Sequence, residues 1–353
     1  MFASSMKDLG CCNYTVHSID TQGSEPIREP PRRVPFHMKE EIKKQLDELL
    51  EAGIIEPSNS EWATALVPIK KKTGGISYPI TRLDETTDKF FGIEVFTTLD
   101  MASGYYQVKM DPKDKEKTAM ATSFGLYHFV RMPFGLTNAP ATFQRMVDKA
   151  LTGLIGKICL VYLDDIIVYS RTVEQHIEHL KLIFDRLRQA ALKFNRKKCF
   201  FMKRQVIYLG HVVNSDGLFP CEDKVKAIKA FKIPRTIKQL QNFLGLKGYY
   251  RKFIRDYSKI ASPLFKATKK GKKFEFDKRC EDAFNKLKDC LTSTDLLIFP
   301  KFHDTFRLET DASDIGLGAV LSQKRDGEWK PIAFWSRQLM KSEQITPQGK
   351  KKR

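Results

Sequence analysis

Residues 158–170 read ICLVYLDDIIVYS, an apolar β-prone run, two adjacent aspartates and a second apolar β-prone run. Ile158, Leu160, Val161 and Tyr162 suit one strand, and Ile166, Ile167, Val168 and Tyr169 the next. Leu163-Asp164-Asp165 then falls at a tight hairpin turn. Flanks this apolar belong in a core. Two carboxylates there repel each other, and burial disfavours their ionised forms. A hard divalent cation relieves both problems. Asp is also a common turn residue, so the pair alone leaves a structural turn and a metal site both open.

A third carboxylate weighs toward the metal. Glu94-Val-Phe-Thr-Thr-Leu-Asp100 is another β-prone run ending in an acid. A strand ending in Asp beside a hairpin carrying Asp-Asp would bring three carboxylates together, as a two-metal phosphoryl-transfer site requires.

Five ordered blocks then carry a resemblance. FTTLDMASGYYQVKM (96–110), GLYHFVRMPFGLTNAPATFQRMV (125–147), VYLDDIIVYS (161–170), LKFNRKKCFF (192–201) and YLGHVV (208–213) stand in the order found in reverse transcriptases of the gypsy-type LTR-retrotransposon branch. The resemblance runs from about residue 9 to about residue 339. It implies that Asp100, Asp164 and Asp165 bind two Mg²⁺ ions, with Mn²⁺ able to substitute. Tyr105 resembles the aromatic residue beneath the sugar, against an ordinary core tyrosine. Phe134 and Gly135 resemble the floor of the nucleotide pocket. Phe143 and Gln144 match positions near the template, though core and surface roles also suit them. Lys198 matches a lysine near the triphosphate, as proton donor or phosphate contact. Leu209, Gly210 and His211 resemble the grip on the primer 3′ end. DTFRLETDASDIGLGAVLSQ (304–323) resembles the first strands of an RNase H domain, with Asp311 as one metal ligand. One carboxylate cannot hold two ions, so RNase H activity is not expected.

The composition agrees with a nucleic-acid partner. The 353 residues are 42% hydrophobic with a formal net charge of +19, enough apolar content for two or three folded domains. Residues 191–280 hold 24 Lys/Arg against 6 Asp/Glu, nearly the whole excess. A basic block beside a polymerase-like centre suits a phosphate backbone, as it would a solvated surface. The seven cysteines include no C-x-x-C pair and point to a reduced chain. Cys199 and His211 lack companions at zinc-ligand spacing. No apolar run reaches transmembrane length and no signal-peptide pattern opens the chain. The expectation is an intracellular protein, cytoplasmic or nuclear, without membrane contact.

Along the chain, residues 1–37 read as an extended N-terminal arm, broken by Pro26, Pro30, Pro31 and Pro35, with Met1–Gly10 disordered. Residues 38–92 read as fingers. After the basic turn Lys70–Gly75, Ile76-Ser77 joins directly to Tyr78-Pro79, omitting an aromatic-rich segment that relatives carry. The fingers are therefore incomplete. Residues 93–215 read as the palm, 216–300 as thumb and connection, and 301–353 as a partial RNase H-like end. Helices are expected over residues 38–52, 140–151, 173–191, 224–231, 237–254 and 281–291. Phe243, Leu244, Leu246, Tyr250 and Phe253 are expected in the thumb core, and His176 and His179 on a polar helix face.

The fold this implies is α+β, a right-hand polymerase with an RRM-like antiparallel palm sheet, incomplete fingers, helical thumb and truncated RNase H-like α/β end. The expected activity is RNA-directed DNA polymerisation with dNTP and an RNA or DNA template–primer duplex as partners. Two other classes stay open: a non-catalytic nucleic-acid-binding remnant, which the shortened fingers would suit, and a palm-like scaffold for protein partners. Nucleotide addition separates the first from the second.

Overall fold

The computed structural model describes residues 1–31, 36–66, 88–269, 274–290, 296–313, 316–340 and 343. The shortened stretch after Gly75 lies outside them. Two compact units emerge, residues 1–86 with 94–203, and residues 87–93 with 204–353.

The first unit holds, in chain order, β1 (Cys12–His17), α1 (Phe36–Glu51), β2 (Ile55–Pro57), β3 (Thr64–Ala65), β4 (Val95–Asp100), β5 (Val108–Met110), β6 (Met120–Thr122), β7 (Gly125–Phe129), α2 (Ala139–Ala150), β8 (Cys159–Tyr162), β9 (Asp165–Ser170), α3 (Val173–Gln189) and β10 (Phe200–Lys203). The main sheet has the order β10-β4-β9-β8 and is antiparallel throughout. With α2 and α3 it makes the β-α-β-β-α-β pattern of a split βαβ fold, the RRM-like palm expected. Its two central strands are the apolar ones. Leu99, Ile166, Ile167 and Val168 are at most 1% exposed, and Met146, Val147, Ile183 and Leu187 from the two helices pack against the same core. A second sheet, β2-β7-β6-β3, joins α1 through Ile42, Leu46, Ile54, Ile55 and Met120.

Two expectations fail in this unit. His176 is fully buried. Its ring bridges Thr97 Oγ1 of β4 at 2.7 Å and Ser170 Oγ of β9 at 2.8 Å, and His179 meets the same Ser170 hydroxyl. Burial lowers the His176 pKa to about 4, so the ring is neutral and serves as a polar tie beneath the sheet. Met1–Gly10 is ordered as well. Phe194 N–H donates to the Met1 carbonyl, and Ala3 N–H to the Phe194 carbonyl. Beyond them β1 pairs in parallel with β5. Long-range partners order a segment that lacks local periodicity.

The second unit contains β11 (Val206–Tyr208), β12 (His211–Val213), β13 (Leu218–Pro220), α4 (Glu222–Lys229), α5 (Ile237–Tyr249), α6 (Tyr257–Ala267), α7 (Lys278–Cys290), β14 (Phe306–Ala312), β15 (Gly316–Arg325) and β16 (Glu328–Gln338). β11-β12-β13 and β14-β15-β16 are antiparallel meanders. Of the five residues expected in this core, Phe243, Leu244, Tyr250 and Phe253 are buried and Leu246 is only half-buried, with Phe243 and Phe284 rings 4.4 Å apart. No helix of the described residues is long and apolar enough to cross a membrane.

Helical periodicity did not reveal Lys247. It lies inside the helical core, fully buried, with its ammonium donating to the Leu287 carbonyl in the last turn of α7. Burial lowers its pKa to about 7. Below that pH both folded and unfolded chains carry the proton, and the folded state bears the whole cost of a buried cation. As pH rises from about 7 toward the ordinary 10.5, the native state alone releases the proton, so stability recovers. Lys247→Met is expected to raise the melting temperature at pH 6–7 and to flatten this dependence above pH 7, measured by thermal denaturation across that range.

Candidate active site

The register of the central strands places Asp100 opposite Asp165. Tyr162 pairs with Asp165 across the hairpin, leaving Leu163 and Asp164 as its two turn residues. Leu163 adopts φ +51, the left-handed region, which costs a non-glycine residue about 1–3 kcal/mol. Neighbours over-determine that conformation. Leu163 N–H donates to Gln144 Oε1 at 2.9 Å, and Met101 N–H to the Asp164 carbonyl at 3.2 Å. Gln144 thus supports the acidic turn from α2. Phe143, the other residue considered for template contact, is fully buried in the core. Loss of the acceptor in Gln144→Met is expected to lower turnover at this site about tenfold through misplacement of the turn, leaving ligand affinity unchanged in a binding titration.

The three carboxylates share one electrostatic environment. Desolvation is the main cause of each raised pKa: Asp164 rises to about 7 with help from Asp165 and Asp100, and Asp165 to about 6 with help from Asp100. Asp100 is also raised, although Lys198 opposes the shift. Lys198 Nζ lies 3.3 Å from Asp100 Oδ2. Asp164 Oδ1 is buried without a hydrogen-bond partner. An orphaned carboxylate oxygen among three hard anionic donors is the chemistry a divalent cation satisfies. Among the described residues, no three metal-ligating side chains are gathered into a ready cage.

Gly104 lies against this cluster. A Cβ there would stand 2.6 Å from Asp164 Oδ1 and 2.7 Å from Phe143 Cζ. It leaves no signature in the sequence, because close approach between residues 39 and 60 apart in the chain makes no local pattern. Tyr105, next along the chain, packs its ring 4.9 Å from Phe134 and 5.4 Å from Phe143. Phe134 is 56% exposed, and Gly135 takes φ +96, a conformation open to glycine. Tyr105, Phe134 and Gly135 therefore line one aromatic floor.

Leu209, Gly210 and His211 lie in the second unit. Leu209 (φ +47) and Gly210 (φ +70) make the two-residue turn between β11 and β12, as a hairpin of this type requires. Tyr249 OH donates to the Leu209 carbonyl, and Tyr250 OH to that of Gly210 at 2.8 Å. The His211 ring is buried among Tyr249, Tyr250 and Phe253. Asp311 lies on β14 opposite Gly318.

Residues 53–213 match the family described as reverse transcriptase (RNA-dependent DNA polymerase), and residues 276–352 the RNase H-like domain found in reverse transcriptase. The retrovirus-related Pol polyprotein from transposon opus of Drosophila melanogaster is 40% identical over 358 residues, covering 92% of this chain and 36% of that polyprotein. Those from transposons 297 and gypsy of the same organism are 40% and 35% identical, covering 93% and 97% of this chain and 33% and 36% of theirs. The chain thus spans about a third of these curated relatives. Two structures of a foamy viral protease-reverse transcriptase, one in complex with RNA/DNA hybrid and one with double-stranded DNA, share its fold. Their TM-scores are 0.82 and 0.83 at 22% identity, covering 98% of this chain and 49% and 63% of theirs.

Proposed function

The chain belongs to the reverse transcriptase family of LTR-retrotransposon Pol polyproteins, and from that premise we propose that it is an RNA-directed DNA polymerase, adding deoxynucleotides to a primer 3′-hydroxyl. The observation that carries the reading is the cross-strand pairing of Asp100 with Asp165 beside the orphaned oxygen of Asp164. Reverse transcriptases generally depend on divalent metal ions, and these three carboxylates would hold two Mg²⁺, or Mn²⁺ in its place. Bound there, the ions would lower the pKa of the attacking hydroxyl and stabilise the leaving oxygen.

The chain's own residues would do the rest. The Tyr105 ring, braced by Phe134 and Phe143, presents a flat wall under the nucleotide sugar and disfavours a 2′-hydroxyl. The Gly135 backbone lets the base approach. Lys198, beside Asp100, contacts the triphosphate or gives a proton to pyrophosphate. Leu209, Gly210 and His211 hold the primer end, and the basic residues of 191–280 meet the duplex backbone. The test is primer extension on poly(rA)–oligo(dT) with Mg²⁺ and Mn²⁺, beside an Asp164→Asn control. Extension by the parent alone supports the reading. Tight, salt-sensitive binding without extension would instead identify a non-catalytic binder, the reading that the shortened stretch after Gly75 favours.

RNase H cleavage is not expected, because the RNase H-like stretch matches one carboxylate, Asp311, and one carboxylate cannot hold two ions. The RNA strand of a labelled hybrid is expected to survive incubation with Mg²⁺, read on a denaturing gel.

A further inference from the structure

We propose that Met1–Gly10 is a strap that positions Lys198 for the reaction, an inference that rests on the polymerase reading above. Among the described residues, Lys198 is the one cation paired with the carboxylate cluster, yet its side chain is 63% exposed. A long exposed side chain keeps its place only if its backbone is fixed. That backbone belongs to the loop Lys193–Lys198, which β4 holds along one side. Asn195 N–H donates to the Asp100 carbonyl at 2.9 Å, Ala102 N–H to the Lys193 carbonyl at 3.1 Å, and Phe194 bridges to Met101.

The loop's other side is held by the N-terminal segment. Phe194 N–H donates to Met1 O at 2.9 Å, and Ala3 N–H to Phe194 O at 3.0 Å. The Phe2 ring stands edge-on to Phe201, with centroids 6.2 Å apart. Asp8 forms an ion pair with Lys193. Phe194 is thus fully buried and bridged on both flanks, to Met101 just after the Asp100 strand and to Phe2 of the strap.

Gly10 closes the strap. Its carbonyl accepts from Arg131 at 3.0 Å. A Cβ at this position would stand 2.0 Å from the Ala191 carbonyl oxygen and 2.6 Å from Gln107 Oε1. Gln107 is itself buried and bonds both the N–H and the carbonyl of Lys193. Any side chain at residue 10 must therefore push the strap away from the start of the Lys198 loop. Backbone pairing on both flanks makes the strap a positioning element, with Lys198 as the residue it serves.

Gly10→Val tests this against Phe284→Leu, a destabilising change in the helical core of the second unit, where the Phe284 ring packs on Phe243. By amide hydrogen exchange, residues 192–199 are expected to exchange at least about tenfold faster in Gly10→Val, with residues 159–170 unaltered. In primer extension, kcat is expected to fall about tenfold with KM for template–primer constant. Lys198→Met should then add less than about twofold in that background, against about tenfold in the parent. Phe284→Leu, destabilising through the helical core of the second unit, should show neither effect. Should Gly10→Val fail to fold, Ala3→Pro, which removes the donor to Phe194 and fixes the local φ, is read the same way. Unaltered exchange at 192–199, or losses from the two substitutions that multiply, would overturn the strap and leave the polymerase reading standing. A parent that extends no primer would overturn both.

Discussion

Asp164→Asn is expected to abolish primer extension, by at least about a thousandfold, while making the metal-free protein more stable. Both effects come from one carboxylate. Its Oδ1 is buried and unpartnered, and desolvation with the charges of Asp165 and Asp100 raises its pKa from the ordinary 3.8 to about 7. A carboxyl raised in this way leaves stability untouched below the unfolded value. The loss grows as pH rises through that window and is complete above about 7. The neutral amide removes it, so the melting temperature at pH 8 should rise by about 2–4 °C per kcal/mol recovered. The stability–pH curve between about 4 and 7 should flatten. Mg²⁺ stabilises the parent by binding the folded state, and this increment should be lost in the variant. Thermal denaturation with and without Mg²⁺, beside extension assays, checks all of these outcomes. A variant that is less stable than the parent without metal would refute the account of the site as strained by its own charge.

Gly104→Val is expected to remove nearly all activity through packing alone. The new Cβ would lie 2.6 Å from Asp164 Oδ1 and 2.7 Å from Phe143 Cζ, closer than van der Waals contact permits. The acidic turn is braced by Gln144 and Met101, and Phe143 is fully buried, so neither can simply withdraw. Overpacking of this kind costs about 1–3 kcal/mol of stability. A displacement of about 1 Å at reacting groups costs on the order of a hundredfold in rate. Shortening the opposing ring in Gly104→Val/Phe143→Leu should restore stability and part of the extension rate. Activity in Gly104→Val at the parent level would show that the turn tolerates displacement.

The acidic hairpin was legible in the sequence because everything that places it is local. Two apolar runs flank Leu163 and Asp164, and the two-residue turn fixes their register. Asp100 was legible by the same means, as the end of a β-prone run. The positions of α2, α3 and the helices of the second unit followed from 3.6-residue periodicity. Long-range residues escaped it. His176 had a polar-face position by periodicity, yet β4 and β9 supply hydroxyl partners that make its burial favourable. Lys247 sits in a core because a carbonyl 40 residues away accepts its ammonium. Gln144 and Gly104 serve the acidic turn from separate elements.

By itself, then, the sequence determined which segments become strands and helices and which of them end in aspartate, since hydrophobic period and turn chemistry act over a few residues. Tertiary structure decided the cross-strand partnership of Asp100 with Asp165, the open face at Gly104 and the ordering of Met1–Gly10 against Phe194. Those depend on backbone groups and surfaces that meet only after the chain has folded, and a buried polar group is stable only where such a partner arrives.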